Sequence, residues 1–128
     1  STSEMITGMG GVGKTQLALA YAYEALHKGI YDVIHWIYAD TEQSLIHSYR
    51  ELLSKLRLVD SENRYGLNSL DSKEPWEIKH LFSSTLPKLS RRWLLIYDNV
   101  NKSEDLARAM PISGGHILLT SRNTSGWE

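Results

Sequence analysis

Apolar positions along this chain alternate between two periods. Short continuous runs of β-branched, aliphatic and aromatic residues stand at 4–7 (EMIT), 31–39 (YDVIHWIYA), 92–98 (RWLLIYD) and 115–122 (GHILLTSR), the length and composition of buried strands. Between them the spacing becomes helical. Over 14–28, Leu17, Ala18, Ala20, Tyr21, Ala22 and Ala25 cover most of a helix circumference, which predicts a heavily buried helix. Gly29 stands where a left-handed cap would end it, behind His27 and Lys28. Over 40–56, Leu45, Ile46, Tyr49, Leu52, Leu53 and Leu56 share one helix face, with Asp40 and Gln43 spaced for a capping box. Residues 75–89 form a further helical stretch, opened by Pro75 and ended or kinked by Pro87, and 103–109 suggest a short helix. The polar, aperiodic stretch 57–74 reads as a long surface loop.

Strands alternating with helices predict the α/β class, a three-layer sandwich around a mainly parallel sheet. The 128 residues make one domain, 1–128, without repeats or low-complexity segments. Composition acts mostly by exclusion. A net charge of −1 gives no electrostatic footprint for nucleic acid or an acidic membrane surface. The absence of cysteine removes disulfides and thiolate metal sites and fits a reducing compartment, so the expected location is cytoplasmic. No apolar run has the length of a membrane-spanning helix, and no signal-peptide pattern is present. Opening on a strand and ending in SRNTSGWE, the sequence reads as a piece of something longer.

The chemistry concentrates where the first strand meets the first helix. Gly8, Gly13, Lys14 and Thr15 fit G-x-x-x-x-G-K-[ST], the Walker A phosphate loop. Wrapping a phosphate in backbone N–H groups requires side chains to be absent and φ often positive, which Gly8, Gly10, Gly11 and Gly13 allow. The helix beginning near Lys14 aims its N–H groups and positive dipole end at the same anion. Lys14 can reach the β- and γ-phosphates, and the Thr15 hydroxyl can ligate Mg²⁺. A chance match has a probability on the order of 10⁻⁵ to 10⁻⁴ per position, so a bare glycine-rich turn is the weaker reading.

Two more strand ends matter, because ligands of parallel sheets sit outside the carboxyl ends of the strands. The apolar strand WLLIYDN ends in Asp98, a Walker B pattern whose carboxylate can hold Mg²⁺ directly or through water. The strand ILLTSR ends in Thr120, Ser121 and Arg122, where a guanidinium can sense the γ-phosphate or simply lie exposed. A GTPase would need D-x-x-G, but Asn99, Val100 and Asn101 follow Asp98. NKSE (101–104) only superficially matches the guanine-reading N-K-x-D, with Glu104 for Asp and in the wrong place. A small-molecule kinase would want an arginine-rich lid, which is not evident.

With these residues in view, GMGGVGKTQLALAYA resembles the nucleotide-binding signature of the NB-ARC proteins, within the STAND class of signalling ATPases. YDVIHWIYADTEQSL, RRWLLIYDNV and GGHILLTSRN are similar to the family segments that follow, in order, over nearly the whole chain. The family includes plant disease-resistance receptors, NOD-like receptors, apoptosome scaffolds, and bacterial and fungal members often carrying tetratricopeptide repeats; the flavour is closest to that repeat-bearing branch. The resemblance implies a sheet in the order 1-4-3-2, with a fifth strand missing from this chain. It implies a cofactor-binding set of Gly8, Gly10, Gly11, Val12, Gly13, Lys14, Thr15 and Gln16, with ADP or ATP and Mg²⁺ as cofactors. Thr15 and Asp98 would serve the metal, Lys14, Asp98 and Arg122 the chemistry, and Arg122 would be the first sensor. Partners implied for the whole protein are sensor and effector domains and nucleotide-dependent homo-oligomerisation.

Asn99 departs from the pattern. Many family members carry a second acid after the Walker B aspartate, and an amide is a poor base, so at most slow hydrolysis is expected. The family's adenine contacts come largely from segments outside this chain. Two other readings stay open: a structural or interaction module without a competent site, and a small-molecule phosphotransferase. His27, His35, His47, His80 and His116 lack zinc spacing and read as structural or solvated. Trp36, Trp76, Trp93 and Trp127 read as core or subdomain contacts, and SRRW (90–93) as a solvated turn far from the nucleotide edge.

Overall fold

A computed structural model describes residues 2–6, 12–100, 104–111 and 113–121 of the chain. Among these residues four strands, β1 (Thr2–Ile6), β2 (Val33–Tyr38), β3 (Trp93–Val100) and β4 (His116–Ser121), are interleaved with four helices, α1 (Val12–His27), α2 (Glu42–Val59), α3 (Pro75–Thr85) and α4 (Glu104–Ala109), with α2 and α3 both between β2 and β3. All strand pairs are parallel, and the sheet runs β1-β4-β3-β2.

Side-chain alternation along β3 and β4 divides the core between the two faces of the sheet. Leu94 and Ile96 of β3 and Leu118 of β4 pack with Ala18 and Ala25 of α1 and with Tyr31. Leu95, Tyr97, Ile117 and Leu119 point the other way, into a larger cluster with α2, α3 and Ala109. β3 is buried almost throughout, as expected of a central strand covered by helices on both faces. Trp93 opens it, and its Nε1 donates to Leu86 O at 3.0 Å. That indole lies so close to Gly115 that a Cβ there would fall 2.1 Å from Trp93 Cδ2.

Three expectations need correction. The first helix is not heavily buried: its alanine face docks on the sheet, while Leu17 and Leu26 remain 57% and 61% exposed. Small residues let the helix approach the sheet closely, and the larger ones lie off that face. The second helix is capped by Thr41 instead of Asp40, and the Thr41 side chain accepts from Ser44 N at 3.0 Å. The stretch 57–74 is not one loop. α2 runs to Val59, and a 3₁₀ turn at Leu67–Ser72 buries Leu67 and Leu70. Between them, Asp60 accepts from Arg64 N and Tyr65 N at 2.8 and 3.0 Å. Two further expectations hold. Gly29, at φ +67, ends α1 with Gly29 N bonded to Leu26 O and Ile30 N to Ala25 O. Pro75 opens α3, and Pro87 falls in the 3₁₀ turn that follows it.

Candidate functional site

In an all-parallel sheet every strand delivers its last residue to the same edge. Ile6 stands opposite Thr120, and Tyr38 opposite Asp98, at that carboxyl edge. α1 runs back across the sheet. Beyond its C-terminus, Gly29 O accepts from Arg92 Nη2 at 3.1 Å, just ahead of β3 and so at the amino edge. Sixteen residues of helix span roughly 24 Å, about the length of the sheet's longest strand. The first turn of α1 therefore lies toward the carboxyl edge. That turn contains Val12, Gly13, Lys14 and Thr15, so the helix starts two residues earlier than Lys14. Its amide N–H groups have no intrahelical acceptors and carry the positive end of the dipole. Gln16 follows and is exposed. Gly8, Gly10, Gly11 and Arg122 lie outside the described residues.

Asp98 brings a carboxylate to this edge from the central strand β3. By alternation it continues the row of Leu94 and Ile96, which faces α1. It is only 7% exposed, and a buried carboxylate requires polar partners. Thr120 supplies one, donating its hydroxyl to Asp98 Oδ1 at 2.7 Å. The same Thr120 oxygen accepts from Asn99 N at 3.0 Å. Asn99 is left-handed, at φ +62, where the β3–β4 register shifts. Val100 consequently returns to the opposite face and joins the larger core. In the sequence Thr120 stands out only as a strand-end residue. Its polarity within an apolar run was the available signal.

Behind Asp98 the support is hydrogen-bonded and dry. The hydroxyls of Tyr97 and Tyr49 lie 2.7 Å apart, and Tyr49 donates to Ala109 O at 2.9 Å. Burial pushes both phenols above their ordinary range. Tyr49 also stacks on Phe82, with ring centroids 3.7 Å apart. β3, α2, α3 and the end of α4 are thus joined directly behind the strand that carries Asp98.

Other candidates lie away from this edge. Arg92 pairs with Asp32 at the amino edge, where its hydrogen bonds hold the Asp32 carboxyl below its ordinary range. Burial lowers the His35 imidazole, whose Nε2 lies 2.9 Å from Ser48 O. That carbonyl can only accept, so Nε2 carries the proton. A concavity beside β2, lined by Leu19, Ala22, Tyr23, Leu26, Leu52 and Leu56, is largely apolar and is remote from Asp98. Among the described residues no group of three or more His, Cys, Asp or Glu is arranged for a metal ion. Trp93 is core and Trp76 is exposed, while Trp127 lies outside the described residues.

The sequence profile of the NB-ARC domain matches residues 4–125. The chain is similar to the probable disease resistance RPP8-like protein 4 of Arabidopsis thaliana, 32% identical over 127 residues, covering 92% of this chain and 12% of that protein. It is similar to the disease resistance RPP8-like protein 3 of the same plant, 30% identical over 122 residues, with 92% and 12% covered. It also resembles the disease susceptibility protein LOV1 of that plant, 27% identical over 124 residues, with 92% and 12% covered. The chain thus spans 12% of the length of these curated relatives. None of the three belongs to the bacterial or fungal branch.

Proposed function

The chain belongs to the NB-ARC domain family, and from that premise we propose that it is the nucleotide-binding core of a signalling switch, holding ADP or ATP with Mg²⁺ and hydrolysing ATP slowly. The observation that carries the reading is the buried Asp98 carboxylate, on the α1 side of the sheet's carboxyl edge, toward which α1 begins with Gly13, Lys14 and Thr15. The relatives' names, which speak of disease resistance and susceptibility, support a role in signalling. The three-layer phosphate-loop sandwich, with sheet order 1-4-3-2 and residues 1–128 as part of an NB-ARC core, belongs to this reading. The ladders β1–β4, β3–β4 and β2–β3 support it.

Each residue has a chemical task. Gly8, Gly10, Gly11, Val12 and Gly13 supply backbone N–H groups to the phosphates, Lys14 places a cation on them, and Gln16 follows in the first turns of α1. The Thr15 hydroxyl and the Asp98 carboxylate are hard oxygen donors, a set that suits Mg²⁺. Mg²⁺, when bound, neutralises charge on the β- and γ-phosphates. Arg122, one residue beyond β4, supplies a guanidinium that distinguishes the triphosphate from the diphosphate. Asn99 can orient a water but cannot take its proton efficiently, which keeps turnover slow. The rest of the protein would supply sensor and effector domains and nucleotide-dependent homo-oligomerisation, in keeping with the small share of its relatives that this chain covers. A cytoplasmic location is part of the same proposal, compatible with a cysteine-free chain.

Calorimetric titration with ADP, ATP and GTP, with and without Mg²⁺, tests the reading. Adenine-selective binding that Mg²⁺ strengthens and Lys14→Ala abolishes is the expected result. Equal binding by Lys14→Ala and the parent overturns the site. Absence of binding to any nucleotide favours a structural or interaction module, and steady phosphate transfer to a small acceptor favours a phosphotransferase.

A further inference from the structure

β3 and β4 pair residue for residue from Leu94 and His116 to Tyr97 and Leu119, and the next pair is Val100 with Ser121. Two residues of β3, Asp98 and Asn99, are therefore set against one residue of β4, Thr120. This is a bulge, and Asn99 takes the left-handed conformation at it, φ +62. The bulge brings two different groups to one hydroxyl. Asn99 N lies 3.0 Å from Thr120 Oγ1 and Asp98 Oδ1 lies 2.7 Å from it. A backbone N–H can only donate, so it occupies a lone pair of Thr120 Oγ1. The single hydroxyl proton then goes to the carboxylate, as a short charge-assisted hydrogen bond. Thr120 is 2% exposed, so bulk water does not compete for that proton. Its β-branched side chain has few rotamers, which fixes the donor in space.

We propose that Thr120 is a positioning residue for Asp98, anchoring Oδ1 so that the carboxylate presents one fixed orientation to Mg²⁺ at the nucleotide site. This rests on the reading of Asp98 as the metal-holding acid. Thr120 touches neither the metal nor the nucleotide. It acts through the carboxylate, and the backbone N–H of Asn99 acts through Thr120 by setting which way the hydroxyl points. The strand that leads into Arg122 is thereby tied to the strand that carries the acid. Partners of metal-binding groups in such positions contribute about 10–100-fold to metal affinity.

The test compares the parent with Thr120→Val, which keeps the shape and loses the hydroxyl, and with Thr120→Ser, which keeps the hydroxyl. Calorimetry measures ADP affinity without metal, and electron paramagnetic resonance measures Mn²⁺ binding to each ADP complex. Thr120→Val is expected to keep the metal-free ADP affinity within about twofold and to lose about 10–100-fold in Mn²⁺ affinity, with Thr120→Ser returning to within about threefold of the parent. Parental Mn²⁺ affinity in Thr120→Val overturns the proposal. A loss of metal-free ADP affinity shared by both variants also overturns it, because that marks a merely structural role. Asp98→Asn is the control for the underlying reading. If it binds Mn²⁺–ADP as the parent does, the assignment of Asp98 falls and this proposal falls with it. Should Thr120→Val not fold, Thr120→Ala makes the same comparison.

Discussion

Tyr97 and Tyr49 form a hydrogen-bond chain whose direction follows from its end. Ala109 O can only accept, so Tyr49 donates to it at 2.9 Å, and Tyr97 must then donate to Tyr49 across 2.7 Å. Removing the hydroxyls one at a time therefore has unequal costs. Tyr97→Phe deletes the first donor but leaves Tyr49 still bonded to Ala109, a loss of about 1 kcal/mol. Tyr49→Phe orphans two buried groups, the Tyr97 hydroxyl and Ala109 O. At about 1–3 kcal/mol for each unsatisfied group, roughly 2–6 kcal/mol is expected. The double variant orphans Ala109 O alone. It should be no less stable than Tyr49→Phe, with a coupling of about 2–4 kcal/mol between the sites. Urea unfolding of the parent and the three variants measures this. With a slope of about 1–3 kcal/mol per molar urea, the midpoint of Tyr49→Phe should fall by about 1 M or more. Equal single costs that simply add in the double variant would refute the directional chain.

Gly115→Ala drives a Cβ into the buried Trp93 indole, 2.1 Å from Cδ2, and should cost about 3 kcal/mol or more; Gly29→Ala meets no atom within 4 Å and should cost only about 1–2 kcal/mol, for its left-handed backbone. Thermal melts of the two variants separate these magnitudes. Burial holds His35 below its ordinary value of 6.5, so the unfolded chain takes up the proton first. Stability contributed by neutral His35 should be complete above pH 6.5 and decline as pH falls through the lower folded value. His35→Gln, which can still donate to Ser48 O, should flatten unfolding midpoints measured between about pH 7.5 and 5; an unchanged slope would refute the assignment. Asn99→Asp should raise single-turnover ATP hydrolysis by about 10²-fold or more if the missing base limits the rate, and an unchanged rate would place the limit elsewhere.

What the sequence could and could not reveal follows from which forces leave a pattern in it. The strands were legible because β2, β3 and β4 are short apolar runs between turn residues, and their ends differed by only a residue or two. The face of α2 was legible because Leu45, Tyr49, Leu52 and Leu56 repeat at helical spacing and are buried. The docking of α1 was not. An apolar residue at nearly every position does not say which ones touch the sheet, and here the small Ala18 and Ala25 do, while Leu17 and Tyr23 stay exposed. The stretch 57–74 hid its order because a 3₁₀ turn with Leu67 and Leu70 is too short to establish a period, and the turns before it are held by side-chain-to-backbone bonds of Asp60 and Asn63. At the candidate site the acid was legible as the end of an apolar strand. The way Thr120 meets both Asp98 and Asn99 was not, because it depends on a register shift of one residue.

That shift also bears on why position 99 carries an amide. A left-handed backbone admits few residues besides glycine, and asparagine and aspartate are the side chains that tolerate it best. The conformation at φ +62 is what delivers the Asn99 N–H to Thr120, so the residue there must tolerate it whatever its side chain does. Aspartate would meet the backbone requirement but would set a second carboxylate next to Asp98, which is only 7% exposed, and like charges at such a site repel. Asparagine satisfies the backbone and leaves Asp98 the only carboxylate of the pair. On this argument the slow hydrolysis proposed above and a well-held Asp98 would have one cause: the bulge fixes the backbone, the backbone limits the choice of residue, and the amide gives up a base while sparing Asp98 a like-charged neighbour.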